Sequence, residues 1–379
     1  MAVTTPPRPV GDVRPSPARL RHPMRAAVAA AVIGIVATAA GAGVGGRYAV
    51  KTGLSLTSAA GLVLLAAGLV LLVLAWRLAW RGLRRWRRLW LVPTTLLALL
   101  VLVSLALGTM YGVVAPRTSL GSATPADAGL AYTDVTFRTS DGVLLSAWYV
   151  PSRNSAAVLL LPGAGSTRTA TLAQAAVLAG HGYGVLMVDP RGQGRSGGRG
   201  MDIGWYGDRD VGAAASFLRS RPDVEPAKVA ALGLSMGGEE VIGAAATEAG
   251  LRAVVAEGAT ARTAADKAGW LPHGVAGALQ RGIDRLTYGT TDVITAAPRP
   301  VPLHTAIARA KDTTFLLVTA GTMPDEARAA GYFRSAAPQR VRTWDVAGAS
   351  HTGGLATSPA DWSIRVLGFL DSALAIPGG

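Results

Sequence analysis

The chain has 379 residues and a formal net charge of +14; half of it is hydrophobic and it contains no cysteine. Without cysteine there is no disulfide, no thiolate nucleophile and no Cys-based zinc site. The charge is unevenly placed: residues 1–117 hold 14 basic side chains against one acid, Asp12, a net of +13, while residues 118–379 hold 23 against 22. A nucleic-acid reader carries its basic face on its folded domain. Here the excess sits in an apolar N-terminal third, as in membrane segments flanked by cytoplasmic Arg, so nucleic-acid binding is not expected.

Residues 1–25 are rich in Pro and Arg, lack apolar periodicity and read as a disordered tail. Three apolar stretches follow, at 26–46, 54–76 and 91–114, each about the 20 residues a helix needs to cross a bilayer and each free of charge. A signal peptide is the alternative for the first; the two stronger spans behind it favour an inserted helix. Arg77, Arg81, Arg84, Arg85, Arg87 and Arg88 lie between the second and third stretches. Short Arg-rich loops stay cytoplasmic. The tail and this cluster are therefore expected inside, the 47–53 loop outside, and residues 118–379 extracytoplasmic. Trp80, Trp86 and Trp90 are interleaved with the Arg cluster and are suited to anionic headgroups, so a lipid bilayer is an expected partner. GAGVGG at 41–46 has the glycine spacing of a dinucleotide loop, but it follows no strand and opens no soluble helix, so it is rejected as one.

After a linker at 115–131 the pattern changes. Residues 132–150 read as two strands around the turn Ser140-Asp141-Gly142. Apolar runs at 156–163, 184–190, 228–235, 251–258, 313–321 and 340–348 read as further strands, the first of them a buried parallel one. Helical stretches are expected near 168–180, 206–220, 236–249 and 360–375. The alternation implies an α/β domain over 132–379: a mostly parallel sheet with helices on both faces, preceded by an all-α transmembrane segment. Residues 259–310 separate two late strands by far more than a tight connection and are expected to be a cap-like insertion.

Gly233-Leu234-Ser235-Met236-Gly237-Gly238 is a G-x-S-x-G elbow placed between an apolar strand and a helix. The serine must sit on a strained turn for its hydroxyl to project, and Gly233 and Gly237 remove β-carbons that would clash there. The order of LPGAGST (161–167), VDPRGQGRSGG (188–198), GLSMGG (233–238) and GASHTGG (348–354) resembles the α/β-hydrolase superfamily, from about residue 132 onward, and within it the esterase and dienelactone-hydrolase-like groups. One departure is Pro162, where many relatives have His before the oxyanion glycine.

That resemblance implies Ser235 as nucleophile, with backbone N–H groups of Ala164 and Met236 forming the oxyanion hole. It implies chain order Ser, acid, His, which selects His351 among five histidines: His22 lies in the tail, His181 in a turn, and His273 and His304 in the insertion. The acid follows the next-to-last strand, where Asp325 and Glu326 compete. Asp325 is preferred as nearer to the strand and following Pro324, with Glu326 left to the helix start expected near Ala327; Glu257 is a third candidate. The 188–198 loop is read as structural. No metal or organic cofactor is implied. A small ester is the expected substrate, against the rivals of peptide or amide cleavage and of a non-catalytic membrane scaffold.

Overall fold

The computed structural model describes residues 21–46, 49, 54–112, 117–199, 202–247 and 250–376. Most of the expected tail, residues 1–20, and the end of the third apolar stretch, 113–114, lie outside the described residues. Among the described residues three long N-terminal helices come first: α1 (Arg21–Gly41), α2 (Leu56–Gly82) and α3 (Leu91–Gly112). The segments Met24–Gly45, Leu56–Gly82 and Arg85–Val103 are long and apolar enough to cross a membrane. The Arg cluster runs from the end of α2 through the 3₁₀ turn Arg85–Trp90. Glycines explain how α1 meets α2. A β-carbon at Gly41 would lie 2.3 Å from the Leu65 backbone nitrogen, and one at Gly61 2.4 Å from that of Gly45. The glycines of 41–46 thus serve close helix packing, as small residues do in membrane bundles.

The remainder is one eight-stranded sheet with order β1-β2-β4-β3-β5-β6-β7-β8. Its first part comprises β1 (Thr133–Arg138), β2 (Leu144–Val150), β3 (Ala157–Leu161), α4 (Leu172–Gly180), β4 (Gly184–Val188) and α5 (Gly207–Arg219). Next come β5 (Val229–Leu234), α6 (Met236–Ala244), β6 (Leu251–Glu257), α7 (Ala264–Trp270), α8 (Val275–Ile294) and α9 (Leu303–Arg309). The chain closes with β7 (Thr314–Ala320), α10 (Pro324–Ala336), β8 (Val341–Val346), the single turn α11 (Gly354–Thr357) and α12 (Pro359–Leu374). β1 and β2 pair antiparallel with each other and β2 with β4; all later pairings are parallel.

The inner strands β3, β4 and β5 are buried at every position, which is why they read as unbroken apolar runs. Alternation divides their side chains between two cores. Leu159 and Leu161 join Val211 and Leu218 of α5, Val241 of α6 and Phe333 of α10 on one face. Val158 and Leu160 join Leu178 of α4 and Trp362 and Leu370 of α12 on the other. The 259–310 insertion divides in two. α7 and α8 form the cap-like part, and α8 packs beside α3. α9 lies instead in the helix layer against α6 and α10, with Leu303, Ala306 and Ile307 buried. The expected cap therefore stops short of residue 303, because the apolar face of α9 is covered by the sheet's own helices.

Candidate active site

Ser235 follows the last residue of β5 and precedes α6, with φ 53° and ψ −120°. That conformation is costly for a residue with a β-carbon and persists only where its surroundings hold it. They do so here. The Ser235 N–H donates to the carbonyl of Glu257 on the neighbouring strand, at 2.7 Å. A β-carbon at Gly233 would lie 2.2 Å from the Gly237 carbonyl oxygen, and one at Gly237 2.6 Å from those of Leu161 and Pro162. The turn closes on backbone atoms that cannot yield, so both positions need glycine.

Behind the serine stands His351, in the loop after β8. Its Nε2 lies 2.8 Å from Ser235 Oγ and its Nδ1 2.6 Å from Glu326 Oε1. With an ionised Glu326 accepting from Nδ1–H, the lone pair on Nε2 is free to accept from the serine hydroxyl. Glu326 is buried, and its Oε2 accepts the N–H of Ala320 at 2.8 Å, which fixes the carboxylate against the end of β7. The loops are joined directly as well: Thr322 Oγ1 donates to the Ala349 carbonyl at 2.8 Å. Hydrogen bonding to Glu326 raises the His351 pKa above the ordinary histidine value; partial burial opposes this, and the negative charges of Glu326, Glu239 and Glu257 add to the rise.

The preference for Asp325 is corrected. Asp325 is more than half exposed and pairs with Arg328. The helix begins at Pro324 rather than near Ala327, so both acids lie in its first turn. Successive helical residues point about 100° apart, so one of the pair faces the sheet while the other faces solvent. Glu257 does not contact His351 as an acid partner either: its carboxylate accepts from the Gly354 N–H at 2.7 Å and the Trp362 indole N–H at 3.2 Å.

Of the two expected oxyanion donors, Met236 follows the serine directly and Ala164 follows Gly163 in the loop beside it. Met236 opens α6, where first-turn N–H groups lack helical partners. The Pro162–Ala164 loop passes over the serine closely enough that a β-carbon on Gly163 would lie 3.2 Å from Ser235 Cβ. The other histidines stand elsewhere: His181 pairs with Asp371, His304 stacks on Tyr332, and His273 is exposed. The 188–198 loop is a structural knot, with buried Asp189 accepting the N–H groups of Arg168 and Arg195 and Arg191 bridging Asp141 and Asp210.

Sequence reasoning missed Glu239, one turn into α6. It is buried, accepts the N–H groups of Thr260 and Ala261 at 3.1 and 2.9 Å, and ties the nucleophile helix to the root of the cap. Burial pushes its pKa up to about 7. Only the pair Glu239-Glu240, apolar-flanked after the elbow, signalled it.

An eight-stranded sheet of this order, a serine on a strained strand–helix turn, and a histidine after the last strand decide the architecture. The fold is that of the α/β hydrolases. Residues 152–308 match the family model of the serine aminopeptidases, S33. The uncharacterized protein Rv2307c of Mycobacterium tuberculosis is 36% identical over 115 residues, 30% of this chain and 40% of that protein. The uncharacterized protein YfhR of Salmonella typhi is 29% identical over 157 residues, 37% of this chain and 52% of that protein. The chain thus spans about half or less of these curated relatives. The Pyrococcus furiosus esterase Pf2001 superposes with a TM-score of 0.56 over 70% of this chain and 99% of its own, at 23% identity; at that identity the likeness is one of fold.

Proposed function

We propose that this chain is a membrane-anchored serine hydrolase that cleaves carboxylic esters through an acyl-enzyme. The observation that carries the reading is the unbroken run of contacts from Ser235 Oγ to His351 to Glu326. His351 takes the hydroxyl proton as Ser235 attacks the ester carbonyl, and Glu326 stabilises the imidazolium and holds its tautomer. The N–H groups of Ala164 and Met236 bind the oxyanion; such donors are each worth about 3–4 kcal/mol. The imidazolium then protonates the leaving alcohol, and water, activated by the same histidine, hydrolyses the acyl-enzyme.

The membrane reading rests on the three apolar helices and on the Arg cluster between the second and third, which is suited to the cytoplasmic face. The hydrolase domain then stands outside the cytoplasm, with the cap helix α8 beside the third span.

The match to a serine aminopeptidase model favours a second reading, cleavage of aminoacyl amides by the same residues. Purified full-length protein offered p-nitrophenyl esters and aminoacyl p-nitroanilides in parallel separates the two. Ester turnover dependent on Ser235, with amides untouched, supports the first reading; the reverse preference supports the second.

A further inference from the structure

We propose that Glu257 is a positioning residue for His351: its carboxylate fastens the histidine loop to the strand beside the nucleophile and to the C-terminal helix, and so fixes where the imidazole stands. The proposal rests on the Ser235–His351–Glu326 reading and adds a fourth residue to it.

Glu257 is the last residue of β6 and pairs in register with Leu234, the residue before the nucleophile. Its backbone carbonyl holds the Ser235 N–H, while its side chain reaches the other way. Oε1 accepts from the N–H of Gly354, three residues after His351, and Oε2 accepts from the indole of Trp362 on α12, which is fully buried. One residue thus joins the nucleophile's backbone, the histidine loop and the terminal helix.

The packing around these contacts is tight. A β-carbon on Gly354 would lie 2.9 Å from Glu257 Oε1. A β-carbon on the next residue, Gly258, would lie 2.8 Å from His351 Cε1 and 3.0 Å from Nδ1, so the imidazole rests on the backbone that Glu257 anchors. The loop is therefore held at two places, before His351 by the Thr322–Ala349 bond and after it by Glu257–Gly354. Removing either leaves the loop tethered on one side of His351 only, and the ring held by Glu326 on a less firmly placed backbone.

A carboxylate buried this deeply is costly unless its oxygens are hydrogen-bonded, and a hydrophobic residue here would leave the Gly354 N–H and the Trp362 indole N–H unpaired. Here the carboxylate also adds negative charge near the imidazolium. The acidic groups acting on His351 are Glu326 from the start of α10, Glu257 from β6 and Glu239 from α6, with the Ser235 hydroxyl on Nε2.

The test uses the full-length protein in detergent micelles, with kcat, KM and the pH profile measured on a p-nitrophenyl ester. Glu257→Gln keeps the shape but loses the charge and turns an amide donor toward either the indole or the Gly354 N–H. It is expected to lower kcat about 10- to 100-fold through misplacement of the base, with KM nearly unchanged and the acid limb of the profile moved to lower pH. Trp362→Phe removes one donor and keeps the charge. It is expected to lower kcat less, with the acid limb unmoved. Wild-type kcat in Glu257→Gln, or a loss carried by KM rather than by kcat, overturns the proposal, whatever happens to thermal stability. If Glu257→Gln does not fold, Trp362→Phe decides: wild-type kcat overturns the proposal, and reduced kcat with wild-type KM supports it. Loss of the hydrolase reading itself gives a different result, wild-type ester turnover that Ser235→Ala does not remove.

Discussion

Glu326 and His351 are 25 positions apart in the chain and 2.6 Å apart in space. They meet because β7 and β8 are parallel neighbours whose carboxyl ends leave the sheet at one edge. A short loop after the first delivers the acid and a short loop after the second delivers the base. The same edge presents Ser235 at the end of β5, two strands away. Ligand and reaction sites in open α/β sheets form at such edges.

The acid assignment is tested by two isosteric swaps. Glu326→Gln should lower kcat by about 10³- to 10⁴-fold, since the imidazole loses the partner that sets its tautomer and stabilises its charge. Asp325→Asn should leave kcat within about twofold of wild type, because Asp325 touches Arg328 at the surface. Steady-state kinetics on one ester compares both.

The pH dependence follows from the histidine. The base works only when neutral, so kcat/KM should rise with pH through the His351 pKa. Since Glu326 raises that pKa, the midpoint should lie above the ordinary histidine value of about 6.5. In Glu326→Gln the residual rate should show a midpoint at lower pH. A profile for wild type centred below the ordinary value would contradict the contact between these two side chains.

The elbow glycines give a stability prediction. Gly233→Ala places a β-carbon against the Gly237 carbonyl and Gly237→Ala one against Leu161 and Pro162. All are main-chain atoms inside the sheet core. Each substitution should cost about 2 kcal/mol or more, read as a lowered Tm, and should reduce ester turnover in whatever protein remains folded. Gly282→Ala, on α8 with open space around it, should do neither.

Topology is tested by reporter fusion. A reporter active only outside the cytoplasm should be active when fused after Gly379 and silent when fused after Arg85. The opposite pattern would put the hydrolase domain on the cytoplasmic side and make the third apolar helix something other than a crossing.

What was legible in the sequence was what local chemistry dictates. Every strand was placed within a few residues, because runs such as Val158–Leu161 and Val185–Val188 have no polar alternation and must be covered on both faces. Ser235 was legible because a strained turn demands glycine at two fixed offsets. What was hidden depends on contacts far along the chain. Asp325 and Glu326 differ only in which way the first turn of α10 aims them, and that turn begins three residues earlier than its composition suggested. Glu257 waits on Gly354 and Trp362, about a hundred positions later, so no local pattern marks its role. α9 reads as cap because it lies within the long 259–310 insertion; only packing against α6 and α10 returns it to the helix layer.

The central claim is that Ser235 is the nucleophile, activated by His351. It is tested most directly by treating full-length protein with a fluorophosphonate and locating the adduct by peptide mass spectrometry. The account predicts one adduct, on the peptide containing Ser235, absent in Ser235→Ala and strongly slowed in His351→Ala. An adduct on Ser166, which lies in the neighbouring loop, or labelling that survives Ser235→Ala, would contradict it.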